Sequence, residues 1–113
     1  MKVIHKKTSH VLGSNIKTAK GVQRLVGLMF VNEIQGMDGL LIRDCRSIHN
    51  CFVRFPIDAV FVNKKFEIVK LLKNFKPWRF SGIYLKASHV IELPKGTISD
   101  DMKVGDELEV SHV

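Results

Sequence analysis

From Cys45 to Asp58 the chain runs Cys-Arg-Ser-Ile-His-Asn-Cys-Phe-Val-Arg-Phe-Pro-Ile-Asp. This stretch places two thiols, an imidazole, a hydroxyl, an amide, two guanidiniums and a carboxylate within fourteen residues. Three chemistries fit these groups. Cys45, His49 and Cys51 are soft ligands of the kind zinc takes, but no fourth ligand lies nearby and the spacing is not a standard zinc pattern, so no metal is expected. Cys45, His49 and Asp58 are the parts of a nucleophile–base–carboxylate triad, although no local signature accompanies them. The third chemistry is binding. Arg54 suits a carboxylate or phosphate held in bidentate fashion, Ser47 and His49 can donate hydrogen bonds, and Asp58 can orient the arginine or the imidazole. A bland reading stands beside each. Cys51 is then a buried thiol, Ser47 and His49 bond their own loop, and Asp58 bonds backbone amides near a bulge. A Cys45–Cys51 disulfide would require an oxidising setting.

These groups must be positioned by the strand they run into. Side chains alternate across a strand, so Cys51, Val53, Phe55, Ile57, Ala59 and Phe61 form an apolar face that belongs to the core. The opposite face is Phe52, Arg54, Pro56, Asp58, Val60 and Val62, with Arg54 and Asp58 about 13 Å apart along an extended chain. Pro56 between them cannot donate to a ladder, which implies an edge or a bulge.

Around that strand the sequence predicts mainly sheet. Val3–His5 with Val11-Leu12 read as an N-terminal hairpin, Leu40–Ile42 as a buried strand, and 51–63 as a long strand turned by Asn63-Lys64-Lys65 into a return strand over 66–72. Residues 73–82 form a loop. Ser88–Leu93 reads as a strand stopped by Pro94-Lys95-Gly96. Ile98–Met102 reads as one helical turn, and Val104-Gly105-Asp106 as a turn into a last strand over 107–110. Asn15–Thr18 offers capping residues, and Val22, Leu25, Val26 and Met29 follow helical spacing. The expected fold class is therefore α+β, mainly β: a small β-barrel or rolled mixed sheet with one main helix, about residues 18–29, packed on it.

The chain of 113 residues is expected to be a single domain, 1–113, large enough for one core without staples. No apolar run reaches the roughly 18 residues of a membrane span, and Met1–His10 lacks the apolar region of a secretion signal. A cytoplasmic protein with free thiols, no cofactor and no membrane partner is expected, as monomer or weak homodimer. The formal net charge is +7. Residues 1–32 carry six Lys/Arg and no acid, and residues 64–86 carry seven against Glu67. Such a balance can attract nucleic acid or an acidic partner, but solubility is the plainer explanation, and the basic residues do not interleave with aromatics as single-strand binders require. Trp78 beside Arg79 could stack on a ligand, or cap the core. Glu92 puts a carboxylate into the apolar strand 90–93.

An ordered set of motifs adds a further reading. Arg24-Leu25-Val26-Gly27-Leu28-Met29-Phe30, Gly39-Leu40-Leu41-Ile42, Cys45-x-Ser47-Ile48-His49 and Arg54-Phe55-Pro56-Ile57-Asp58-Ala59-Val60-Phe61 occur in sequence. Pro77-Trp78-Arg79, Val90-Ile91-Glu92-Leu93-Pro94-Lys95-Gly96-Thr97 and Val104-Gly105-Asp106 follow. Together they resemble the uncharacterised prokaryotic family catalogued as domain of unknown function one-nine-two. The resemblance implies a β-barrel-like α+β fold whose helix carries the Arg-x-x-Gly-Leu-Met motif and whose polar motif residues gather around one groove. It implies no reaction. The expectation is a non-enzymatic domain whose groove, comprising Arg24, Ser47, His49, Arg54, Asp58, Trp78 and Glu92, holds a small anionic or polar ligand or a peptide end. The alternatives are a thiol-dependent or hydrolytic enzyme using Cys45 and His49 with Asp58, and nucleic-acid or acidic-partner binding through the basic surface.

Overall fold

The computed structural model describes residues 1–19, 38–47, 56–77 and 79–111, with Ala19 described by its backbone alone. Eight strands occur among them: β1 (Lys2–His5), β2 (His10–Gly13), β3 (Ile16–Ala19), β4 (Gly39–Arg43), β5 (Ile57–Val62), β6 (Ile68–Phe75), β7 (His89–Pro94) and β8 (Leu108–Ser111). They form a three-stranded sheet, β2-β1-β8, and a five-stranded sheet, β3-β4-β7-β5-β6. Pairing is antiparallel except between β3 and β4, which run parallel.

The two sheets continue into each other. A bridge joins Glu67 to Glu107, flanked by Leu108 N–H to Phe66 O at 2.9 Å and Ile68 N–H to Asp106 O at 2.8 Å. At the other end the Ile16 N–H donates to Met1 O at 2.9 Å, which ties the start of β3 back to the residue just before β1. The sheet therefore rolls around a core of Val3, Leu12, Leu41, Val60, Val62, Ile91, Leu93 and Leu108.

The α+β expectation is corrected. The described residues form strands and turns and contain no helix. Thr18 and Ala19, the first residues of the expected helix, extend β3 instead, where they pair with Leu41 and Ile42 of β4. The remainder of that span, 20–29, lies outside the described residues. The capping role expected of Asn15–Thr18 fails for the same reason: a parallel partner supplies the hydrogen bonds that a helix start would have needed. Ile98–Met102 is a turn, with Met102 N–H on Ser99 O at 3.2 Å, and not a helical turn.

The strand expectations for Val3–His5, Leu40–Ile42, Ser88–Leu93 and the final segment hold within a residue or two. The long strand expected over 51–63 is described from Ile57, and 51–55 lie outside the described residues. Its two faces need revision. Ile57, Ala59 and Phe61 enter one apolar cluster with Leu40, Ile42, Cys45, Ala87 and Val90, while Val60 and Val62 enter the other. All six residues of β5 are buried. A strand with apolar side chains on both faces is one that is covered on both sides.

Candidate functional site

Of the seven residues expected to line a groove, Arg24, His49, Arg54 and Trp78 lie outside the described residues, as does Cys51. Ser47, Asp58 and Glu92 are described, and so is Cys45.

Asp58 is 1% exposed. The β5–β6 register shifts between Ile57 and Ala59, so a bulge falls at Asp58, two residues beyond Pro56. The bulge turns the carboxylate onto the backbone of β6 and of the turn after β7. Oδ1 accepts from Asn74 N–H at 2.9 Å, and Oδ2 accepts from Gly96 N–H at 3.1 Å and Ile98 N–H at 2.9 Å. Three amides that no ladder serves thus share one buried carboxylate, the arrangement that lets a buried charge persist. Asn74, near the end of β6, has a φ of 52°, so the carboxylate holds a left-handed irregularity in that strand as well as the turn that Gly96 makes after β7.

Glu92 is 5% exposed and lies on the other side of the five-stranded sheet. Its neighbours across the ladder are Ala59 and Leu40, whereas Asp58 pairs with Leu93. Alternation then puts Glu92 with the Ala59–Phe61–Val90 cluster and Asp58 with the Val60–Leu93 cluster. The two carboxylates do not share a groove. Cys45 sits with Glu92's cluster, 9% exposed, and its thiol donates to Ser47 O at 2.9 Å. Cys45 and Asp58 therefore occupy opposite cores and do not assemble as nucleophile and carboxylate.

The described polar groups that do converge lie around the far end of β5. A hollow of about 370 Å³ is lined by Asp44, Arg46, Lys64 and Ser88. A second of about 350 Å³ adjoins it and shares Lys64 and Ser88, adding Asn63, Lys65, Glu67 and Lys86. Three local features build this cleft. The Asn63 side chain accepts from Lys65 N–H at 2.9 Å and Glu67 N–H at 3.0 Å, which closes the β5–β6 turn and sets Lys64 and Lys65 outward. Ser88 is fixed by its N–H on Val62 O at 2.8 Å and by its carbonyl, which accepts from Cys45 N–H at 2.9 Å. Arg46 Nε donates to Ala87 O at 3.1 Å, which orients the guanidinium.

His89 follows Ser88 and is tied to Asp44 of the cleft. Its Nδ1 accepts from Asp44 N–H at 3.1 Å, so its proton resides on Nε2. Its ring stacks on Phe66 at 5.7 Å. Burial holds its pKa below 6.5, Arg43 and Lys64 push the same way, and Asp44 opposes them. Sequence reasoning took Lys64 and Lys65 as turn residues and as part of the basic 64–86 segment, and gave His89 no role. The available signal was the excess of basic residues over 64–86, but nothing local says that Arg46 and Ser88 meet them.

Comparison with known proteins agrees with the motif set. The family model described as "Uncharacterized ACR", domain of unknown function one-nine-two, matches residues 3–110. The chain belongs to this family. A UPF0127 protein of Pyrococcus furiosus is 36% identical over 92 residues, covering 78% of this chain and 78% of its own length. Another from Pyrococcus horikoshii is 32% identical over 78 residues, or 66% of this chain and 67% of that one. A crystal structure of a protein of unknown function from Novosphingobium aromaticivorans superposes with a TM-score of 0.77 at 20% identity, over 96% of this chain and 82% of that one. It is similar in fold. Among the described residues no helix is long and apolar enough to cross a membrane, and no group of three or more metal-ligating side chains comes together.

Proposed function

We propose that this family member is a non-enzymatic binding domain that holds a small anionic ligand in the cleft between Arg46, Lys64 and Ser88. The observation that carries the reading is convergence: Arg46 and Lys64, from segments that follow β4 and β5, line one hollow with Ser88. Arg43, Lys65 and Lys86 surround it, against Asp44 and Glu67. A guanidinium held through Nε keeps its terminal nitrogens for a carboxylate or phosphate, the Lys64 ammonium supplies a second charge, and the Ser88 hydroxyl a neutral donor. Burial is the first cause of the lowered His89 pKa, and the smaller part that Arg43 and Lys64 contribute against Asp44 also favours an anion.

This cleft keeps the Cys45–Ser47 loop in the account, because Arg46 belongs to it, but releases Asp58. The test is a thermal shift with inorganic phosphate and with citrate. Anion at about 100 times its Kd stabilises the fold by about 2.7 kcal/mol. Arg46→Ala with Lys64→Ala should abolish the shift while leaving the unliganded melting temperature within a degree or two. An undiminished shift in the double variant contradicts the assignment.

A further inference from the structure

The segment between β6 and β7 shows a second surface, which shares Lys86 with the cleft but whose apolar residues lie outside it. Phe80, Ile83 and Leu85 are 76%, 71% and 77% exposed, three large apolar side chains within six residues. They are held out by a fixed scaffold. Tyr84 N–H donates to Arg46 O and Ala87 N–H to Tyr84 O, both at 2.9 Å. The Tyr84 ring meets Phe61 edge-on at 4.7 Å, and Ala87 is buried. With Tyr84 turned inward, Ile83 and Leu85 on either side of it face outward.

Charge says what this surface meets. From Ile68 to Ile91 the chain has Lys70, Lys73, Lys76, Arg79 and Lys86 and no acid. Lys73 is engaged by Asp100 at 2.7 Å, while Lys76, Arg79 and Lys86 flank the apolar residues in sequence and are exposed. A second copy of the chain would bring like charges together. A nucleic acid would use the rings, but of the three exposed apolar side chains only Phe80 carries one, and aliphatic Ile83 and Leu85 have no π face to stack a base. An apolar tip with a basic collar matches an anionic lipid surface on both counts.

We propose that segment 79–86 docks peripherally on an anionic bilayer, with Phe80, Ile83 and Leu85 entering the interfacial zone and Lys76, Arg79 and Lys86 on headgroup phosphates. The expectation of no membrane partner rested on the lack of a span, which peripheral docking does not need. Co-sedimentation with phosphatidylcholine–phosphatidylserine vesicles tests it, with pure phosphatidylcholine vesicles as control. The full chain should partition onto the anionic vesicles, more weakly as salt rises, and hardly onto the control. Phe80→Ser/Ile83→Ser/Leu85→Ser should lower partitioning at least about tenfold, and Lys76→Ala/Arg79→Ala several-fold. If the triple variant melts lower than the parent, Leu85→Ser alone is read. Absence of binding to anionic vesicles, or equal binding by parent and loop variants, overturns the proposal. So does a loop-dependent affinity for a single-stranded oligonucleotide without vesicle binding, or a loop-dependent dimer in sedimentation velocity.

Discussion

The two ends of β5 handle charge in opposite ways. At its start Asp58 is buried, and both carboxylate oxygens are occupied by the amides of Asn74, Gly96 and Ile98. Past its end Lys64 is exposed, beside Arg46 and Ser88, on a hollow open to solvent. One strand thus carries a charge that stabilises loops at one end and a charge available to a ligand at the other. The difference lies in desolvation: a buried carboxylate must be saturated by the protein, whereas an exposed ammonium keeps its capacity for a partner.

Removing Asp58 should produce the largest change. Asp58→Ala leaves three amides without their acceptor, and at about 1–3 kcal/mol for an unsatisfied buried group the loss should be several kcal/mol, read as a fall in urea midpoint. Asp58→Asn keeps an acceptor on one side only and should fall between. If Asp58→Ala unfolds at nearly the parent midpoint, the anchoring role is wrong. Gly39 comes next. A Cβ there would lie 2.7 Å from Glu92 O and 2.8 Å from Leu93 Cδ2, so Gly39→Ala should cost about 1–3 kcal/mol in the same titration by forcing β4 from β7. Arg46→Ala with Lys64→Ala should shift stability by no more than about 0.5 kcal/mol, as exposed substitutions do, while anion binding is lost.

The smallest effects are in pH. His89 has its pKa held below 6.5, by burial first and then Arg43. Below 6.5 the unfolded chain takes up a proton that the folded chain resists, so this contribution to stability is present above 6.5 and declines as pH falls. Asp106 behaves differently. Its carboxyl is held below 3.8 by the hydrogen bond with His5 Nε2 at 2.8 Å, then by Lys103 N–H. Its contribution is full above that value and is lost only as pH drops beneath it. Thermal midpoints across pH 3 to 8 should show the two separately, and His89→Asn should flatten the upper one alone.

Much of the sheet was legible because the residues concerned obey strong local rules. Leu40–Ile42 and Ala59–Val62 are continuous apolar runs, and such runs are covered on both faces. Gly105, at a φ of 98°, marks the turn before β8. What misled was non-local. Thr18 is β-branched, but so short a run as Ile16–Thr18 beside capping residues gives little sheet signal, and pairing with Leu40 and Leu41 makes Lys17 and Thr18 strand. That Asp58 could bond backbone amides near a bulge was legible from Pro56, but which amides was not: the described groups it serves are 16, 38 and 40 residues away. The cleft was hidden for the same reason: Arg46, Lys64 and Ser88 are ordinary surface residues until β4, β5 and β7 bring them together.

The anionic-ligand reading is tested most directly by following the His89 imidazole by NMR during a pH titration, with and without inorganic phosphate. Burial holds this pKa down first, and Arg43 and Lys64 add to it; an anion seated beside Lys64 offsets only the cationic part, so phosphate should raise the His89 titration midpoint part of the way toward 6.5, and the Arg46→Ala/Lys64→Ala variant should show no phosphate dependence. A His89 midpoint indifferent to phosphate in the parent protein would contradict an anion site in this cleft.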